Sequence, residues 1–146
     1  MPSTSEKVIE GVRAMVAAAL PGFEVGRNTE GPEAVPPGGM VVIRDGDAGE
    51  PDVTLSPLTY HYAHAVRVEV VVMGATPEER SARLDSALMQ IGAAVEADRS
   101  LNGLCEWLAP ADEQPARDDF HAEGGETGRV ADLDIIASYS TSNPLI

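Results

Sequence analysis

His61 and His64 stand three residues apart on a segment that reads as a strand. That spacing sends the two imidazoles to opposite faces, so they share a metal only if the strand breaks. The competing reading places them near a sheet rim or interface, hydrogen-bonded by neighbours. His121 lies close to Asp118, Asp119 and Glu123, a donor set that suits a hard cation. The ligand spacing of an EF-hand is missing, and a solvated acidic loop accounts for the same residues. Cys105 is the only cysteine, and as a nucleophile it would need a histidine and an acid brought to it. Its neighbours Leu104 and Trp107 favour a buried thiol that behaves as a small hydrophobe. No G-x-S-x-G elbow, G-x-x-x-x-G-K-[ST] loop or G-x-G-x-x-G turn occurs, and Gly124-Gly125 lacks the lysine and following helix of a phosphate cradle. The expectation is a chain with no catalytic residue, no metal and no cofactor.

The 146 residues carry 24 acidic side chains against 10 basic ones, a formal charge of −14. Nucleic-acid binding rests on cations that neutralise phosphates, so it is disfavoured as the main task, and anionic membranes are disfavoured with it. No apolar run is long enough to span a bilayer, and Met1 to Glu6 lacks the basic and apolar regions of a secretory signal. One cysteine excludes an intramolecular disulfide and a multi-thiolate metal site. The length suits one domain that buries an ordinary core, with extended loops at about residues 28–58 and 109–128.

The elements that position these groups follow from periodicity. Val8, Val12, Met15, Val16, Ala19 and Leu20 form a helical stripe over about residues 4–20, opened by Ser3 and Glu6 at capping-box spacing and stopped by Pro21-Gly22. Short strands are expected at residues 23–27, 40–44 and 52–55. Residues 60–73 carry the longest strand signal, with Tyr60, Tyr62, His64, Val66, Val68, Val70 and Val72 on one face. Thr76-Pro77-Glu78-Glu79 then opens a second amphipathic helix along Leu84, Ala87, Leu88, Ile91 and Val95 to about Asp98. A strand at residues 104–108, a mobile loop over residues 109–128, a last strand at residues 129–140 and an extended tail complete the chain. The predicted class is α+β, a mainly antiparallel sheet of four to five strands with two helices packed on one face.

Tyr60, Tyr62 and Trp107 belong to residue types enriched at protein interfaces, although three aromatics are also ordinary core. Leu145 and Ile146 are poor residues to leave in water, so the tail is expected to dock on a neighbouring subunit or partner. The interface candidates are Tyr60, Tyr62, His64, Asp118, Asp119, Asn143, Pro144 and Leu145.

The run from His64 to Val72, then Thr76-Pro77-Glu78-Glu79-Arg80, Leu84-Asp85 through Ala97-Asp98, and Leu101-Asn102-Gly103-Leu104 resembles small tail proteins of long-tailed bacteriophages and phage-derived gene transfer agents. The closing Tyr139-Ser140-Thr141-Ser142-Asn143-Pro144-Leu145 resembles them too, and the family is the tail terminator, or minor tail protein of the lambda U type. The resemblance covers about residues 60–146. It implies a non-enzymatic structural virion protein whose copies form a ring, usually a hexamer, on the head-proximal end of the tail tube. The ring ends tube polymerisation and provides the surface for head attachment. The implied partners are other copies, the tail tube protein and a head-completion or stopper protein, with DNA passing the lumen without specific binding and no membrane involved. The implied location is the virion tail, assembled in the bacterial cytoplasm. A strongly acidic lumen fits this role because it repels DNA. Residues 45–58 and 112–126 are expected to project toward neighbours or the lumen. The competing readings are a head-to-tail joining or stopper protein, a small group-transfer enzyme using His64 or Cys105, and a cytosolic binding module for a partner that tolerates acidic surfaces.

Overall fold

The structure is a computed structural model, and it describes residues 1–29, 35–122 and 124–146. The chain runs α1 (Thr4–Ala19), β1 (Glu24–Arg27), β2 (Met40–Asp47), β3 (Asp52–Thr54), β4 (Thr59–Met73), α2 (Pro77–Ala97), β5 (Trp107–Pro110), β6 (Arg117–His121) and β7 (Thr127–Thr141). Among the described residues the class is α+β, built on an open seven-stranded sheet in the order β1-β2-β4-β7-β5, with β3 paired to β4 and β6 to β7. β1 runs parallel to β2, and every other pairing is antiparallel.

β4 and β7 form the spine, in register from Tyr60 opposite Thr141 to Met73 opposite Gly128. The even positions Val66, Val68, Val70 and Val72 are fully buried and share one cluster with Val8, Val12 and Val16 of α1 and Leu84, Ile91 and Val95 of α2. The reverse face of the spine is polar at its centre, where Arg67 donates to Asp134 at 2.8 Å and Arg44 to Glu69 at 2.9 Å. The strand period of two therefore separates core from solvent along one chain segment.

Local signals act where the sequence places them. Ser3 Oγ accepts the Glu6 N–H at 3.2 Å, and Thr76 Oγ1 accepts the Glu79 N–H at 3.1 Å. The Glu79 carboxylate reaches back to the Ala75 N–H, whereas Glu6 turns away from its own cap to meet Arg27. Arg27 fastens α1 to the sheet, holding Glu6 and, at 3.0 Å, Asp45. Its guanidinium keeps the Glu6 carboxyl below the usual range, and for Asp45 the Asn28 side chain does so first and Arg27 next.

Both carboxyls thus titrate lower in the folded chain than in the unfolded one. Their stabilisation is complete above the ordinary carboxylate pKa and is lost as pH falls through the folded values. Arg27→Met is expected to be less stable than the parent at neutral pH, with the gap closing from roughly pH 5 toward pH 2. Urea midpoints of both proteins across that range check this; a gap that stays constant would refute it.

Four expectations are corrected. Among the described residues the sheet has seven strands rather than four to five, because the short β1, β3 and β5 all join the one sheet and β6, not expected as a strand, adds to it. The acidic segment 109–128 is not a loop throughout: β5 reaches Pro110, and β6 pairs with the first part of β7, Asp118 opposite Val130 and Phe120 opposite Gly128. The strand expected at 104–108 starts at Trp107, since Leu101, Asn102 and Gly103 all take positive φ and turn the chain so that Leu101 and Leu104 cover Gly11. The extended loop expected at about residues 28–58 carries β2 and β3, and its residues 30–34 lie outside the described residues.

Candidate functional site

The structure sorts the eight interface candidates into three places. Tyr60 and Tyr62 lie at the start of β4, opposite Thr141 and Tyr139 of β7, and the segment with Asn143, Pro144 and Leu145 leaves β7 at that same end. Asp118 and Asp119 lie on β6, beside Val130 and Arg129, roughly 35 Å away along β7 at about 3.3 Å per residue. They are exposed, and Arg129 donates to Asp119 at 3.1 Å.

His64 is in the interior, 4% exposed, so it offers no surface to a partner in this chain. The Asp45 carbonyl at 2.6 Å can only accept, which puts a proton on Nε2. In the neutral ring Nδ1 then accepts the Tyr139 hydroxyl at 2.8 Å. Burial pushes the Tyr139 phenol up, so it stays a donor. Tyr62 packs on Tyr139 with ring centroids 5.6 Å apart. Tyr62, His64 and Tyr139 thus line the even face of the spine as it leaves the core.

The other chemistry-bearing residues stay apart. His61 Nε2 lies 2.9 Å from Thr54 Oγ1, and His121 Nδ1 lies 3.3 Å from Thr127 Oγ1. Glu123 is outside the described residues. Among the described residues no three His, Cys, Asp or Glu side chains converge as a metal site would require. Cys105 is buried, and desolvation, then Asp98 and Glu106, push its thiol up, opposite to the lowering that reactive thiolates need. Among the described residues no helix is long and apolar enough to cross a membrane.

What the geometry assembles is a sheet end without charge. Residues 53–66 contain no Asp, Glu, Lys or Arg, and neither do residues 135–146. The β4–β7 register lays these two stretches side by side, bounded by the Arg67–Asp134 ion pair. In a chain that carries −14 this is a marked local exception. Acids rim it: Asp52 pairs with His61 across β3, and Glu106 accepts the Ser140 hydroxyl at 2.9 Å.

Val53, Leu55 and Leu58, exposed by 51%, 77% and 46%, stand on the β3–β4 hairpin at this end. Leu145 and Ile146, which follow the same end of β7, are exposed too. The tail is not extended as expected, because the Asn143 carbonyl accepts both the Ile146 N–H and the Thr141 hydroxyl and closes a turn. Val53, Leu55 and Leu58 were not among the sequence candidates. Their signal was the missing charge, which is informative only once the register joins the two stretches.

No protein-family profile matches the chain, and no curated protein matches it.

Proposed function

We propose that this chain is the subunit of a ring that caps the tail tube of a long-tailed bacteriophage or gene transfer agent, ends the tube's polymerisation and presents a seat for head attachment. The observation that carries this reading is the ordered set of phrases from His64 to Leu145 that resembles tail terminators. In the fold they fall on β4, α2, the turn after it and β7 with its tail, a continuous unit around the spine.

Physical features support the same reading. A cap acts by shape: it needs a heterologous contact that closes by rotation, a face for the tube and a face for the next component. The uncharged sheet end is suited to such a contact, since interface centres are poor in charge and rims are polar. The −14 charge suits a lumen that lets DNA pass, because like charge keeps phosphates from sticking. The partners in this reading are further copies, with a hexamer as the expected ring, the tail tube protein and a head-completion protein. The site is the head-proximal end of the tail, reached by assembly in the bacterial cytoplasm. His64, with both ring nitrogens bonded, and Cys105, with its raised thiol, give a group-transfer reading little support.

The test is deletion of the gene from a producing strain followed by electron microscopy of the particles. Tails of irregular and excessive length that fail to join heads are expected. Tails of normal length that carry heads would overturn the proposal, while normal-length tails without heads would favour a joining role instead.

A further inference from the structure

We infer that the β3–β4 hairpin is an arm that seats in a hollow on α1 of a neighbouring copy, and that this arm-in-hollow contact is what joins one subunit to the next; the inference rests on the ring reading above. The arm is a paired extension of the sheet: Val53 pairs with Tyr60 and Thr54 with Thr59, and the spine continues directly from it. Among the described residues its apolar side chains Val53 and Leu58 are only about half covered and Leu55 is mostly exposed.

The receiving surface is a hollow of about 380 Å³ beside α1, floored by Pro2, Gly11, Ala14 and the exposed Leu104. Lys7 borders it, together with Glu6 and Glu10, whose carboxylates are already held by Arg27 and Arg13. Gly11 lets Leu101 and Leu104 lie directly on α1, since a Cβ there would meet them at 2.9 and 2.8 Å. The volume suits the tip of a leucine-bearing turn, and the lining is nearly free of polar surface.

Charge argues for a second copy as the occupant. Two chains of −14 repel wherever their acidic surfaces meet, so identical copies associate best through a patch without net charge. The arm is such a patch, whereas a basic partner would be drawn to the acids and not to the arm. Complementarity continues at the rim. Lys7 is the chain's only lysine and makes no ion pair among the described residues, while Asp52 stands at the arm's base. Seating the arm brings an unused cation to a carboxylate. Because arm and hollow are different patches of one surface, the contact is heterologous and propagates from copy to copy until rotation closes it.

The test uses two variants of the full chain, checked for native circular dichroism. Leu55→Asp with Leu58→Asp spoils the arm, and Ala14→Glu spoils the hollow at an exposed helical position. Light scattering over a concentration series is expected to show the parent forming species larger than a dimer and each variant weakened about 30-fold or more. An equimolar mixture of the two variants retains one sound contact, the arm of one in the hollow of the other, and is expected to stop at a dimer. Variants that assemble like the parent would overturn the arm contact and leave the ring standing. Loss of assembly in both variants with no dimer in the mixture would overturn the pairing of arm with hollow. A parent that stays monomeric at millimolar concentration would overturn the contact, and tail length in the deletion strain would still decide the cap reading separately.

Discussion

Gly46→Ala is expected to cost roughly 3–5 kcal/mol, a large share of the stability of a domain this size. Gly46 sits at φ +67° in the irregular stretch of β2 between Arg44 and Asp47, where pairing with β4 shifts register. A Cβ there would overlap the carbonyl oxygen of Ala65 and lie 2.9 Å from its carbonyl carbon and 3.2 Å from the Arg67 nitrogen. All three are backbone atoms of β4, so no side chain can swing aside. Relief requires β2 to lift from β4, and that would draw the Asp45 carbonyl away from His64. Gly49 supplies the control, at φ +68° with no atom within 4 Å of where an alanine methyl would stand. Gly49→Ala should cost only the left-handed penalty, about 1 kcal/mol. Denaturant midpoints of the two variants separate overlap from backbone conformation, and equal losses would show that the bulge yields.

Ile135→Ala should cost roughly 2–5 kcal/mol, against about 1 kcal/mol or less for Ile136→Ala one residue later. Ile135 is fully buried opposite Val66, in the cluster that joins both helices to the sheet. Ile136 faces the other way, half-buried opposite Ala65 on the spine and Ala109 on β5. Removing atoms from the first leaves a cavity inside the packed cluster; removing them from the second leaves a dent that water fills. Comparable losses at both positions would mean that the reverse face is covered in solution, which ties this experiment to the state of assembly.

The parts of the fold that were legible are those in which one periodicity runs long enough to dominate. α1, α2, β4 and β7 each present an apolar stripe over many residues, and the caps at Ser3 and Thr76 are local chemistry that needs no tertiary partner. β6 was illegible for a converse reason. Its residues Arg117, Asp118, Asp119 and His121 are exposed, and only Phe120 is apolar, so no face alternates. It is held by what lies across from it: Phe120 over Gly128, Asp119 beside Arg129, and Arg117 on Asp85 of α2 at 3.0 Å. Those contacts are nonlocal, and propensity does not encode them.

The candidate site divides in the same way. Tyr60, Tyr62 and the tail could be picked out by residue type, but that they share an end depends on the register of β4 with β7. His64 was expected near a rim or interface with neighbours bonding it; the bonds are present, but the residue is buried, because a strand pattern gives the face and not the depth.

The way the sheet is finished has a consequence for pairing between sheets. β4 and β7 are fifteen-residue strands rich in β-branched residues, the kind of sequence that templates fibrils when an edge lies open. Here β4 has β2 and β3 along one flank, and β5 and β6 divide the far flank of β7 between them. The strands left outermost, β1, β3, β5 and β6, have five residues or fewer, with Pro110 closing one and Asp118 and Asp119 marking another. Among the described residues the folded sheet therefore offers another copy only short stretches of open edge to pair with.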